Sequence, residues 1–165
     1  MNILIACEES QAVCKAFRER GFNAFSCDIL ECSGGHPEWH FHQDVFEIIA
    51  NKGGHLENGH EYFLPNGEDW DLMIAHPPCT YLSVSGARWM YHPDDAHLPV
   101  SKRREHPNHI GRRQKQKEAI EFFLRLTKTG IKHWAIENPV GVMNSNYRKP
   151  DQTVQPFWFG DSASK

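Results

Sequence analysis

The chain has 165 residues and a formal net charge of −3, with 39% hydrophobic and 12% aromatic residues. That length suits one domain, residues 1–165, with a sizeable core, and the overall charge announces no nucleic-acid partner. No apolar run approaches the roughly 20 residues of a membrane span, and no basic stretch precedes the first apolar residues, so a cytoplasmic protein with no membrane partner is expected.

Asn2 to Cys7 reads as a buried strand, and Ser10 to Arg20 as a helix with Ser10 as its N-cap, Ala12, Val13, Ala16 and Phe17 on one face, and Gly21 as its stop. Asn23 to Cys27 is a second strand ending at Asp28. Such a strand–helix–strand opening predicts a parallel pair with a right-handed crossover. Val45 to Ala50 reads as a helical turn or two after Asp44, and Lys52 to Gly67, rich in Gly, Asn and His, as an exposed excursion. His36, His40 and His42, with Cys32 nearby, match no zinc-ligand spacing and read as surface histidines, so no metal is expected. The five cysteines are odd in number and form no C-x-x-C pair, which favours reduced thiols over a disulfide framework.

Leu72 to Ala75 is a short apolar run typical of a buried strand. It stops at His76, and Pro77-Pro78 then predicts a stiff, extended turn with Cys79 at its tip. From Arg88 to Lys117 the chain is polar and basic: Arg88, Lys102, Arg103, Arg104, Arg112, Arg113, Lys115 and Lys117 interleave with Trp89, Tyr91, His92 and His97. A helix is predicted from about Gly111 to Thr127, with Ile120, Phe123 and Leu124 facing inward. After Gly130 a strand, Ile131 to Ile136, delivers Glu137-Asn138-Pro139. Val140 to Lys165 is loop-like, with an apolar patch from Gln155 to Gly160 read as core or lid packing.

Open α/β sheets bind ligands outside the carboxyl ends of their strands. Cys79 and Glu137 are both expected there, with hydroxyls following at Thr80, Ser83 and Ser85. A thiolate with a nearby carboxyl group suits attack on an electron-poor ring, the carboxyl protonating or hydrogen-bonding a ring nitrogen. The basic, aromatic insert fits phosphate contact plus base stacking.

Pro77-Pro78-Cys79-Thr80-Tyr81-Leu82-Ser83-Val84-Ser85-Gly86 resembles motif IV of the DNA cytosine-C5 methyltransferases, Pro-Cys-Gln-x-Phe-Ser followed by Gly. Glu137-Asn138-Pro139 resembles their motif VI, Glu-Asn-Val, and the order and separation of the two also fit. The resemblance is to the short phage- and prophage-encoded members that lack a target-recognition domain. It implies a class I methyltransferase fold: a Rossmann-like α/β three-layer sandwich, mostly parallel, with strand order 3-2-1-4-5, incomplete at its C-terminus, where the family has further strands. A truncated chain, a domain completed by homo-oligomerisation and a protein that has abandoned part of the chemistry are the three readings of that shortfall.

The implied activity is S-adenosylmethionine-dependent methylation of cytosine C5 in DNA. Cys79 would attack ring C6 while Glu137 holds or protonates N3, the two gripping one pyrimidine within one cavity. Implied cofactor contacts are Cys7, Glu8, Glu9, Ser10, Asp28, Asp44 and Pro77. Asp28 sits where nucleotide-binding folds place a ribose-gripping carboxylate, and Asp44 resembles the family's adenine-side aspartate. Implied substrate contacts are Pro78, Ser83, Arg88, Arg103, Arg104 and Asn138. Where the family has Phe-x-Gly-x-Gly, this chain has Ala6-Cys7-Glu8-Glu9-Ser10-Gln11, which leaves Glu8 or Glu9 to meet the cofactor's cationic end and Ser10 and Gln11 to offer N–H groups at a helix start. Two other functions fit the same residues: a pyrimidine-modifying enzyme acting on a nucleotide or single strand, and a non-catalytic phage protein binding nucleic acid or a host protein.

Overall fold

A computed structural model describes residues 1–160 and residue 162 of the chain, so part of the expected loop-like stretch to Lys165 lies outside the described residues. The elements are β1 (Asn2–Ala6), α1 (Ala12–Arg18), β2 (Asn23–Asp28), β3 (His40–His42), α2 (Val45–Asn51), β4 (Gly53–His55), β5 (Glu61–Phe63), β6 (Leu72–Ala75), α3 (Arg112–Leu126), β7 (His133–Ile136) and α4 (Met143–Asn146). Five of the strands form one sheet in the order β3-β2-β1-β6-β7, with every neighbouring pair parallel. Once the antiparallel hairpin β4–β5 is set aside, this is the 3-2-1-4-5 order expected from the sequence.

The central strand explains the architecture. All five residues of β1 are buried, as a parallel strand needs when helices cover both faces. On one face Leu4, Ala6, Phe25, Phe41, Met73 and Ala75 pack with Val45 and Ile48 of α2 and Leu126 of α3. On the other, Ile3, Ile5 and Ala24 pack with Cys14, Val13 and Phe17 of α1. Phe25 anchors the first face: its ring lies 4.2 Å from Tyr62 and 5.4 Å from Phe41, centroid to centroid. Such aromatic pairs each add about 0.5–1.5 kcal/mol beyond the area they bury.

Four local expectations are corrected. Ser10 is not the cap of α1; the helix starts at Ala12 behind a left-handed Gln11 (φ 58°) that makes no side-chain cap bond. The cap comes from Glu8, whose carboxylate accepts from the N–H groups of Val13 (2.6 Å) and Cys14 (3.2 Å). The stretch from Lys52 to Gly67 is a packed hairpin rather than an exposed excursion, because Leu56 and Leu64 are buried in the first core face. Gly53 has no room for a side chain there, since a Cβ would stand 2.1 Å from the Tyr62 carbonyl.

His40 is fully buried rather than a surface residue, its ring bonded to the Ser26 hydroxyl (2.9 Å) and the Leu30 carbonyl (3.0 Å). Finally, Phe157, Trp158 and Phe159 are each more than half exposed, which removes the core half of the core-or-lid reading of the patch from Gln155 to Gly160. Among the described residues no helix is long and apolar enough to cross a membrane.

Candidate active site

At the end of β6 the His76 N–H donates to the Ala6 carbonyl (2.9 Å), tying the strand to β1 at its last residue. Pro77 is buried, and from Pro78 onward the chain is carried outward, leaving Cys79 and Thr80 exposed. Cys79 opens a tight turn in which the N–H groups of Leu82 and Ser83 both donate to its carbonyl (3.0 Å each). On the neighbouring strand the Glu137 N–H donates to the Ala75 carbonyl (2.9 Å), so Glu137 leaves the sheet beside His76.

The two segments meet again further out. Ser83 and Gly141 form an antiparallel bridge, flanked by Val84 N–H to Val140 C=O (3.1 Å) and Val142 N–H to Leu82 C=O (2.9 Å). Gly141 is required at this contact: a Cβ there would lie 1.8 Å from the Leu82 oxygen. The loop bearing the thiol and the loop bearing the carboxylate are therefore joined both at the sheet and beyond it.

A cavity of about 700 Å³ opens beside β7, lined by Glu137, Asn138, Ser83, Ser85, Tyr147 and Arg148 among others. Cys79 is not in that lining, nor are Pro77 and Pro78. Thiol and carboxylate share a sheet edge, Glu137 lining this cavity and Cys79 standing exposed on the adjoining turn. Two polar atoms at this edge, His76 Nε2 and Asn138 Oδ1, are shielded from solvent and have no hydrogen-bond partner among the described residues. A polar ligand reaching them would remove a real cost, since an unsatisfied buried polar atom costs about 1–3 kcal/mol.

The residues expected to hold a cofactor divide into two groups. Cys7, Asp28 and Asp44 come together at the carboxyl ends of the strands. Burial pushes the Cys7 thiol up to about 12, and the nearby Asp28 and Asp44 carboxylates push the same way. Asp28 accepts from the Leu30 N–H (3.0 Å), and Asp44 caps α2 through the Phe46 N–H (2.7 Å). Ile29 and Leu30, directly after Asp28, are 73% and 58% exposed; they are apolar surface beside a carboxylate that the sequence reading did not single out.

The second group does not face a ligand. Glu8 is buried and caps α1, so its assignment to a cofactor's cationic end is corrected. The turn after β1 is covered by residues 33–36. The Ser33 N–H donates to the Glu9 carbonyl (2.8 Å), and a Cβ on Gly34 would stand 2.5 Å from the Ser10 carbonyl. Gln11 is fully buried, exchanging bonds with the His36 backbone (2.8 and 3.0 Å). Gln11 therefore stands behind a packed loop, and the exposed Ser10 precedes a helix that begins only at Ala12.

The basic insert also divides. Arg103 donates to the carbonyls of Leu98 (2.7 Å) and Ala96 (2.8 Å), and Arg104 grips Asp95 through Nε and Nη2 (3.0 and 2.7 Å). Their assignment to substrate is corrected: both hold the insert's own fold. Arg88, exposed, stands over Trp89 (4.7 Å), Arg113 over Tyr91 (5.3 Å) and Lys115 over Tyr81 (5.9 Å). Of these pairs, Lys115 over Tyr81 lies on the turn that Cys79 opens.

Hydrogen bonds from Arg104 hold the Asp95 carboxyl well below its usual range. A depressed carboxyl pKa stabilises the fold above the unfolded value, near 3.9, and the contribution is lost as pH falls toward the folded one. Amide-exchange protection over residues 92–104 is therefore expected to stay level from about pH 7 to about pH 5 and to fall below about pH 4. Asp95→Asn should remove it at every pH, and protection unchanged in that variant would show that the pair does not hold the insert.

No family model, no curated protein and no solved structure matches the chain.

Proposed function

We propose that the protein methylates cytosine at C5 in DNA, on a Rossmann-like fold of the class I methyltransferase type, with Cys79 as nucleophile and Glu137 at ring N3. The observation that carries this reading is the double joining of their loops, at the Ala75–Glu137 hydrogen bond and at the Ser83–Gly141 bridge. The Cys79 thiolate adds to C6, and a proton held by Glu137 on N3 draws the ring electrons so that C5 becomes nucleophilic. Once C5 has taken the methyl group, loss of the C5 proton to a base would restore the 5,6 double bond and expel Cys79, whose thiolate is a good leaving group. In a duplex the base must first be flipped out of the stack, and the exposed position of Cys79 suits a base brought to it from outside the fold. Arg88, Arg113 and Lys115 would contact phosphates beside it.

S-adenosylmethionine, when bound, supplies the methyl group. Asp28 would hold its ribose hydroxyls, Asp44 would lie on its adenine side, and Ile29 and Leu30 would cover the purine face. The packed turn after β1 gives this site no glycine loop, so its affinity rests on the strand-end carboxylates. Calorimetry with S-adenosylmethionine is expected to show binding that Asp28→Ala weakens at least about tenfold, the loss of one or two charge-assisted hydrogen bonds. Equal affinity in both proteins would move the cofactor elsewhere.

The decisive test is intact mass after incubation with the cofactor and an oligonucleotide carrying 5-fluoro-2′-deoxycytidine. Fluorine at C5 blocks the final elimination, so a working thiol leaves a stable protein–DNA adduct. Absence of any adduct, with oligonucleotide binding retained, would favour a non-catalytic nucleic-acid-binding protein.

A further inference from the structure

We infer that Arg112 and Gln116, one turn apart at the start of α3, are positioning residues that aim the Cys79 thiol; the inference rests on the cytosine-addition reading above. Three successive carbonyls around the nucleophile are each taken by a donor. The Cys79 oxygen accepts from the Leu82 and Ser83 N–H groups. The Thr80 oxygen accepts from Arg112 Nη2 (2.9 Å), and the Tyr81 oxygen from Gln116 Nε2 (2.9 Å). The turn's own backbone bonds fix its curvature and the Ser83–Gly141 bridge holds its far end, while the two α3 side chains hold the Thr80 and Tyr81 carbonyls directly after the nucleophile.

Two further contacts tighten the arrangement. The Arg112 guanidinium lies over the Tyr81 ring (5.0 Å). Gly86 also packs against it, where a Cβ would stand 2.6 Å from Arg112 Nη2 and 3.0 Å from the Thr80 oxygen. Residues 112 and 116 share one helix face because they are four apart, and Phe123 and Leu126 bury the far end of the same helix. A path of contacts thus runs from the core through α3 to the exposed start of the turn at Cys79 and Thr80, while Leu82 at its end packs with Phe123 and Met143. Placing a nucleophile within a fraction of an ångström governs its rate far more than it governs binding.

The test uses the full chain with Gln116→Met, which keeps the side chain's length but removes its donor, and with Arg112→Ala and Arg112→Lys. At saturating fluorocytosine oligonucleotide and cofactor, Gln116→Met is expected to trap about tenfold more slowly, with oligonucleotide affinity within about twofold of wild type. Arg112→Ala should lose more, and Arg112→Lys should recover part of that loss. Unchanged trapping, or a loss confined to affinity, would overturn the inference.

Amide exchange at Leu82 and Ser83 reads the clamp without any chemistry. It should quicken about tenfold in Gln116→Met, and unchanged exchange would overturn the inference on its own. If wild-type protein forms no adduct while exchange quickens, the cytosine-addition reading fails and the clamp on the turn stands.

Discussion

Cys79→Ser is expected to abolish the fluorocytosine adduct and lower methyl transfer by at least about a thousandfold, the scale on which removal of a covalent nucleophile acts. Folding and oligonucleotide affinity should be unchanged, because the residue is exposed and its carbonyl, the acceptor for Leu82 and Ser83, is backbone. A serine hydroxyl at neutral pH carries almost no anion and is a poor leaving group, so it can neither begin nor finish the cycle that a thiolate supports. The other cysteines cannot substitute. Burial pushes Cys14 up to about 11 and Cys7 to about 12, and raises Cys27 and Cys32 as well, which keeps all four thiols protonated at neutral pH. Alkylation by iodoacetamide at pH 8, followed by peptide mass analysis, should accordingly mark Cys79 first. An adduct that formed equally in Cys79→Ser would end the proposed chemistry.

Gly141→Ala should be the second most damaging change, although it adds a single methyl group to a loop. The new Cβ would overlap the Leu82 oxygen at 1.8 Å, and the neighbour is backbone, which cannot swing aside. The bridge between the two loops must open, with loss of the Val84–Val140 and Val142–Leu82 hydrogen bonds. A cost of about 1–3 kcal/mol in denaturant unfolding is expected from overpacking of this kind. Trapping should fall about a hundredfold as Glu137 and Cys79 lose their relative placement. Normal trapping in a destabilised Gly141→Ala protein would mean that the bridge serves the fold alone.

The sequence disclosed the strands that run through the core. Residues 3–6 and Leu72–Ala75 are continuous apolar runs that pack in the core, and the end of the second announced where Cys79 would stand, as the end of the strand expected over residues 131–136 did for Glu137. β3 stayed hidden because it is three residues long and two of them are histidines, one of which is buried only through bonds to Ser26 and Leu30. The hairpin was illegible for a similar reason: its anchors, Leu56 and Leu64, are single apolar residues spaced among glycines and polar groups.

Partners explain the misplaced site residues. A carboxylate at Glu8 reads as a ligand contact until the helix it caps is known to begin at Ala12. Arg103 and Arg104 read as phosphate contacts until the chain folds back to present Ala96, Leu98 and Asp95 to them. Gly141, which follows Glu137 by a few residues, carried a signal that could be interpreted only once Leu82 was known to lie against it.

The strand order has a kinetic consequence. β1 must pair with β2, only a helix away, and also with β6, where Ile3 aligns with Leu72 across the hairpin and everything before it. The second pairing closes a long loop before any contact rewards it, and proteins dominated by such distant pairings collapse to the native state slowly. Refolding should therefore pass through a species in which β1, α1 and β2 are formed while β6 still searches for its neighbour. During that interval the apolar edge of β1 is open to other chains, and dilution during refolding should raise the yield.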